Sequence, residues 1–73
     1  IGSQTLKNNT SGSVNVAMGE SAMYANTSGG GNSAYGNSAL FSNTIGSGNI
    51  ATGYYTLNEN TTGSYNVASG YRA

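Results

Sequence analysis

The stretch NTSGSVNVAMG, Asn9–Gly19, decides the fold, because it recurs with variation as NTSGGGNSAYG, NTIGSGNIATG and NTTGSYNVASG. Each copy begins 17 residues after the previous one, with no insertion or deletion. Asn-Thr, a glycine, a second Asn, an Ala and a closing glycine keep their places in all four copies. Low-complexity drift would not keep these columns in phase, so the period indicates a repeat architecture.

The repeat unit itself predicts β structure. A unit of 17 residues that is rich in Gly and Asn is too short for a helical hairpin and poor in helix formers. It fits one coil of a β-solenoid, a parallel β-roll with two short strands and two turns per coil. We therefore predict an all-β fold of about four coils in a single segment, residues 1–73, with coils near 2–18, 19–35, 36–52 and 53–69 and a partial coil at 70–73. The first strands are expected at 5–8, 22–25, 39–42 and 56–59, and the second strands at 15–18, 32–35, 49–52 and 66–69.

Glycine and asparagine columns mark the expected turns. Glycine reaches positive φ without steric cost, which explains its place at both turns. The Asn that opens the longer turn is expected to bond to the backbone two residues on, as in an Asx-turn. The predicted structural turn residues are Gly2, Gly12, Gly19, Gly29, Gly36, Gly46, Gly53, Gly63, Gly70, Asn9, Asn26, Asn43 and Asn60.

Alternation along the strands predicts which columns are buried. In the first strand a Leu/Met column should face one way and the adjacent Ala/Thr column the other. In the second strand the Asn and Ala columns share a face. We expect Leu and Ala to meet inside, which leaves an outer stripe of Val16, Ser33, Ile50 and Val67, continued by Met18 and Tyr35. This stripe is too apolar for solvent and indicates a partner surface. The reverse in/out assignment stays open.

Energetics also favour association. Burying one Leu per coil stabilises by about 1.5–3 kcal/mol, whereas ordering the backbone opposes folding by about 1–2 kcal/mol per residue. A lone roll is therefore marginal, and lateral association is expected. The sequence begins and ends within the pattern, so we expect a segment of a longer fibre or a subunit that stacks end to end.

Composition argues against several functions. The charged side chains are Lys7, Glu20, Glu59 and Arg72, with net charge zero, so no electrostatic attraction to nucleic acid or anionic lipid is expected. No apolar run is long enough to insert into a membrane. The chain has no His and no Cys, and its two Glu residues lie in different columns. We therefore expect no enzyme activity, no catalytic residues, no metal site and no cofactor.

The aromatic residues are the candidate exposed surface. Tyr54 and Tyr71 share a column one coil apart, and Tyr55 and Arg72 share the next, so ring stacking and a cation–π contact are expected. Tyr24 and Phe41 form a second short ladder. Two interpretations remain open. The rings stabilise coil stacking or a trimer interface, or they form a shallow platform for a glycan.

The elements NVAMG, NSAYG, NIATG and NVASG resemble the head repeats of trimeric autotransporter adhesins, the YadA-like left-handed parallel β-roll. The wider unit SALFSNTIGSGNIATGYYTL is similar to A-L-x-x-N-T-x-G repeats of bacterial surface fibres and phage tail fibres. The resemblance implies a left-handed roll, three identical chains around one axis and a role in extracellular attachment. The family's head repeats are shorter, and the extra residues here lie in the N-T-x-G turn.

We therefore expect a structural and adhesive module of an extracellular trimeric fibre on a cell surface or virion. Its partners would be identical chains, in a homotrimer or stacked fibre, and a surface glycan or extracellular matrix protein. One alternative is a self-assembling cross-β subunit, because GSGNIA (Gly46–Ala51) resembles the G-x-G-N-x-A core of curli repeats. A third is an ice-binding solenoid that displays its Thr column.

Overall fold

The structure, a computed structural model, describes residues 2–73. Across these residues it contains no helix and four strands of three residues each. The strands are β1 (Val16–Met18), β2 (Ser33–Tyr35), β3 (Ile50–Thr52) and β4 (Val67–Ser69). They form one parallel sheet in the order β1-β2-β3-β4, so the all-β prediction is confirmed.

The register of the sheet follows the sequence period. Ala17 pairs with Ala34, Ala34 with Ala51 and Ala51 with Ala68, which are steps of one repeat. Each strand lies within one of the segments expected for the second strand of the unit. Because every strand pairs with the equivalent strand of the next repeat, identical columns lie beside one another.

The two faces of the sheet differ in exposure, as alternation along a strand requires. The central Ala of β1, β2 and β3 is buried, and Val16 and Ile50, one residue earlier in β1 and β3, are 45% and 44% exposed. Asn32 and Asn49, which precede β2 and β3, are fully buried. The expected assignment, with Asn and Ala inside and the Val/Ser/Ile/Val column outside, is therefore correct.

The prediction of the first strand in each unit is wrong. Residues 5–8, 22–25, 39–42 and 56–59 form turns. Met23 and Leu40 have φ of 52° and 53°, in the left-handed region, and the equivalent Leu6 and Leu57 match them. A strand needs negative φ at every residue, so this backbone cannot continue the extended pattern. Repeats still pair here, since the N–H of Met23 donates to the Ala39 carbonyl at 2.9 Å.

Because this segment is a turn and not a strand, the set of buried side chains differs from the prediction. The Ala/Thr column was expected to face away from the Leu/Met column. Instead, Ala22 and Met23 are both fully buried, as are Ala39 and Leu40, because a left-handed residue removes the strict alternation of a strand. Thr56 is also buried, and its hydroxyl donates to the Gly70 carbonyl at 2.8 Å. The apolar core comprises Ala17, Ala22, Met23, Ala34, Ala39, Leu40 and Ala51, with Leu6 and Leu57 packed against it.

The longer turn of each repeat is held by a shared acceptor. The N–H groups of Thr10, Ser11 and Gly12 all donate to the Thr27 carbonyl, each at 3.0 Å. The next turn repeats this arrangement on the Thr44 carbonyl. Three consecutive donors that converge on one oxygen bring the two backbones into close contact at the glycine.

Positive φ does not explain the glycines of this turn. Gly12, Gly29, Gly46 and Gly63 have no left-handed φ. A Cβ on Gly46 would instead lie 2.4 Å from the Gly63 carbonyl oxygen and 2.5 Å from Asn43 Oδ1. Glycine is therefore required here because adjacent repeats approach each other too closely for a side chain. The glycines that follow the strands differ, because Gly19, Gly36, Gly53 and Gly70 have φ between 118° and 127°.

The expected Asx-turn is also replaced by another arrangement. Asn43 Nδ2 donates to the Gly46 carbonyl, three residues on, at 3.1 Å, and to Asn26 Oδ1 in the preceding repeat at 3.0 Å. The same bonds link Asn9, Asn26 and Asn60 into one ladder of side-chain amides. Because these amides satisfy one another along the repeat axis, buried Asn becomes compatible with the interior.

The invariant Asn before each strand forms a second ladder. Asn32 Nδ2 donates to the Gly46 carbonyl at 2.8 Å, and Asn32 Oδ1 accepts from the Asn49 N–H at 2.8 Å. Among the described residues, no buried side-chain nitrogen or oxygen lacks a hydrogen-bond partner. The interior of the chain is thus built from Ala, Met and Leu side chains together with fully paired amide side chains.

Candidate functional site

The candidate site is the set Tyr54, Tyr55, Tyr71 and Arg72, called here the tyrosine–arginine cluster. Tyr54 and Tyr55 follow β3 after one glycine, and Tyr71 and Arg72 follow β4 in the same way. The N–H of Arg72 donates to the Tyr54 carbonyl at 2.8 Å. Backbone pairing between repeats therefore places the four side chains together.

The three rings are nearly parallel. Tyr54 stacks on Tyr71 with ring centroids 5.3 Å apart and planes 11° from parallel. It also stacks on Tyr55 at 4.4 Å and 5°. The first contact is the predicted ladder between repeats. The second joins chain neighbours, which an extended strand would point to opposite faces. Tyr55 has φ of 57°, and this left-handed residue brings its ring to the side of Tyr54.

Arg72 lies against two of these rings. Its guanidinium carbon is 5.3 Å from the centroid of Tyr55 and 5.5 Å from that of Tyr71, within the range of a cation–π contact. The Tyr55 contact was predicted from the shared column. Within residues 2–73 the guanidinium has no carboxylate partner. The guanidinium packs on aromatic rings, and its N–H groups remain available as hydrogen-bond donors.

Two rings of the cluster are exposed, and the pKa of one of them is raised. Tyr54 is 41% exposed and Tyr71 is 71% exposed. Hydrogen bonding and charge repulsion from Tyr55, followed by desolvation and Tyr71, raise the pKa of the Tyr54 phenol, and Arg72 opposes the rise. Since an ordinary tyrosine has a pKa of about 10, Tyr54 stays protonated throughout the physiological range.

A cleft adjoins the cluster. It has a volume of about 450 Å³, and both Tyr55 and Arg72 contribute to its wall. Glu59 also lines this cleft but forms no ion pair with Arg72 in the described part of the chain. Leu57, Asn58, Asn60 and Ala73 complete the lining. The cluster therefore has one open aromatic side and one recessed side lined by both polar and apolar residues.

A second aromatic ladder lies in the earlier repeats. Tyr24 and Phe41 stack with centroids 5.0 Å apart and planes 5° from parallel, as predicted. Lys7 Nζ lies 5.8 Å from the Tyr24 centroid. This contact was not predicted, although Lys7 occupies the same column one repeat earlier and its spacing was the available signal. Both rings are half-buried. This ladder has less free ring surface than the tyrosine–arginine cluster.

The outer face of the sheet carries the predicted apolar stripe. Val16, Ile50 and Val67 are 45%, 44% and 73% exposed, and Met18 and Tyr35 are 41% and 39% exposed. These side chains come from all four strands and lie in register. Ser33, which is half-buried, interrupts the Val16, Ile50 and Val67 column. A cluster of exposed apolar side chains on a small domain is a feature of association surfaces.

Other kinds of site have little support. In residues 2–73 no group of three or more His, Cys, Asp or Glu side chains is placed to hold a metal ion. The same residues include no helix with the length and apolarity needed to span a membrane. Comparison with known proteins gives no further guide, since no protein family, curated protein or solved structure matches this chain.

The columns of the sequence repeat predicted the members of the cluster but only some of the contacts between them. They placed Tyr54 with Tyr71 and Tyr55 with Arg72. They did not place Tyr55 on Tyr54 or Arg72 on Tyr71, because both contacts cross between columns. The available signal was the doublet Tyr-Tyr after a glycine in one repeat and Tyr-Arg in the next. Only the left-handed backbone at the second residue turns that doublet into a stack.

Proposed function

We propose that the chain is a left-handed parallel β-roll of about four coils, and that it serves as a structural and adhesive module of an extracellular trimeric fibre. In this proposal each 17-residue repeat is one coil. Support comes from backbone bonds that join each repeat to the next throughout residues 2–73. Handedness and trimer rest on the resemblance to adhesin head repeats.

The apolar stripe on the outer face carries the proposal. Three strand residues that would contribute to a core, Val16, Ile50 and Val67, are left at least 44% exposed in the single chain. Burial of apolar area stabilises by about 25 cal/mol per Å², so covering this row would stabilise the chain further. Identical chains offer identical stripes at identical spacing, which suits a closed symmetric assembly.

Low charge supports a fibre module rather than a catalyst. The side chains of the chain carry two positive and two negative charges, and its interior uses amide and aromatic ladders. Ladders of this kind repeat indefinitely along one axis and need no unique site. Attachment to a host or surface would then depend on the residues that vary between repeats, above all the tyrosines.

The test is the assembly state of the soluble chain. Sedimentation equilibrium should give a particle three times the 7.3 kDa chain mass. Ile50→Glu would place a charge in the middle of the stripe, so the trimer should dissociate. Thr62→Glu, at an exposed residue of the longer turn, is the matched control and should leave the trimer intact.

Three outcomes would count against the proposal. A monomer that folds and whose mass does not rise with concentration would show that the stripe needs no partner. Long thioflavin-positive fibres would favour the cross-β alternative. Thermal hysteresis in dilute solution would instead support an ice-binding surface.

A further inference from the structure

We propose that the tyrosine–arginine cluster binds an acidic sugar, a pyranose that carries a carboxylate. The sugar ring would pack on the exposed ring of Tyr71, and its carboxylate would be bound by Arg72. This inference rests on the proposed adhesive function and specifies the chemistry of its ligand.

The aromatic side of the cluster suits a sugar ring. The C–H face of a pyranose is apolar and packs on an aromatic ring, and its hydroxyls remain free for hydrogen bonds. Tyr71, which is 71% exposed, offers such a ring, and Tyr54 stacks against it with planes 11° from parallel and supports it from one side. Binding sites of this kind combine aromatic walls with a few well-placed polar groups, and each phenol adds such a group.

Order in the cluster favours binding. Tyr54 is held between Tyr55 at 4.4 Å and Tyr71 at 5.3 Å, so its ring is fixed before a ligand arrives. The hydrogen bond from the Arg72 N–H to the Tyr54 carbonyl locks the two repeats that carry these rings. A preformed platform avoids the entropy cost of ordering side chains on binding.

Arg72 points to a negative charge on the ligand. Its guanidinium contacts two rings at 5.3 and 5.5 Å and has no carboxylate partner within the described chain. Guanidinium presents a planar fork of donors that matches a carboxylate in a bidentate pair. A neutral sugar would leave this fork unused. A carboxylate on the pyranose would fill it, next to the ring faces.

The Tyr24–Phe41 ladder provides an internal comparison. It also has a cation nearby, Lys7 at 5.8 Å, but its rings are half-buried and its ammonium is a point donor. If exposed rings and a free guanidinium define the site, the ladder beside Lys7 should not bind the same ligand.

The experiment titrates the full chain with matched saccharides by two-dimensional NMR. The acidic probes are 3′-sialyllactose and trigalacturonate, and the neutral counterparts are lactose and galactotriose. The acidic probes should bind, with the largest shifts at Tyr54, Tyr71 and Arg72. Arg72→Gln should weaken acidic binding by about tenfold or more, the equivalent of one charge-assisted hydrogen bond. Lys7→Gln should leave binding unchanged.

A second variant separates binding from folding. Tyr71→Ser removes the most exposed ring of the cluster and should weaken the binding of both acidic probes without lowering the melting temperature. If Tyr71→Ser lowers melting, the comparison of Arg72→Gln with Lys7→Gln still decides the question, because neither change removes a ring. Equal binding of acidic and neutral sugars, no binding at millimolar concentration, or no effect of Arg72→Gln would each overturn the inference.

Sedimentation of the same samples keeps the two proposals apart. A trimer that binds neither acidic probe refutes the sugar site and leaves the fibre module intact. A monomer that binds the acidic probes through Arg72 refutes the trimer and leaves the sugar site intact.

Discussion

Replacing Gly46 by Ala tests whether close approach between repeats fixes the longer turn. The new Cβ would lie 2.4 Å from the Gly63 carbonyl oxygen and 2.5 Å from Asn43 Oδ1. Carbon atoms do not approach oxygen so closely, so one of the backbones must move. Overpacking of this kind costs about 1–3 kcal/mol.

The displacement should also break buried hydrogen bonds. The Gly46 carbonyl accepts from Asn32 at 2.8 Å and from Asn43 at 3.1 Å. One buried amide left without a partner costs about 1–3 kcal/mol more. We therefore expect Gly46→Ala to lower the free energy of unfolding by about 2–6 kcal/mol, a large part of the 5–15 kcal/mol of an ordinary domain.

Gly31→Ala is the matched control. Gly31 has φ of 69°, but a Cβ there would come no closer than 3.9 Å, to the Gly48 nitrogen. The same column holds Val14 and Tyr65 with φ of 59° and 61°, so this backbone accepts side chains. A left-handed alanine costs about 1–2 kcal/mol. This control should therefore be milder than Gly46→Ala.

Urea unfolding followed by far-ultraviolet circular dichroism measures both variants under the same conditions. The expected order of stability is wild type, Gly31→Ala, then Gly46→Ala. A loss below about 1 kcal/mol for Gly46→Ala, or a larger loss for Gly31→Ala, would refute close approach as the reason for this glycine column.

Three further predictions follow from the interior and the cluster. Asn49→Ala, which removes an amide that bonds to the next repeat, should lower the unfolding free energy by about 1–3 kcal/mol, and the exposed Asn8→Ala should change it little. Leu40→Ala should cost about 2–5 kcal/mol in the same assay, with Ile45→Ala as an exposed control within about 0.5 kcal/mol. For Tyr54, the raised pKa means that the unfolded phenol ionises first, so stability should fall as pH rises beyond about 10. Ultraviolet absorbance titration should show a tyrosine transition above the ordinary range that Tyr54→Phe removes, and its persistence in that variant would assign it to another residue.

The sequence by itself determined the period, the class and the register of this protein. A strict repeat forces equivalent residues to meet, so the parallel sheet, the Ala column inside and the Val/Ser/Ile/Val column outside could all be derived from spacing. The same reasoning found Tyr54 with Tyr71 and Tyr55 with Arg72, because stacking along a repeat axis needs only the column.

Tertiary structure alone decided the backbone within each repeat. The segment around Leu40 has the composition of a strand, but φ of 53° at Leu40 makes it a turn, and two neighbouring residues are buried together. Left-handed backbone at non-glycine residues carries no local sequence signal, since contacts between repeats stabilise it against its local cost. For the same reason, spacing did not reveal that Gly46 is required by the Gly63 carbonyl, or that Tyr55 lies on Tyr54.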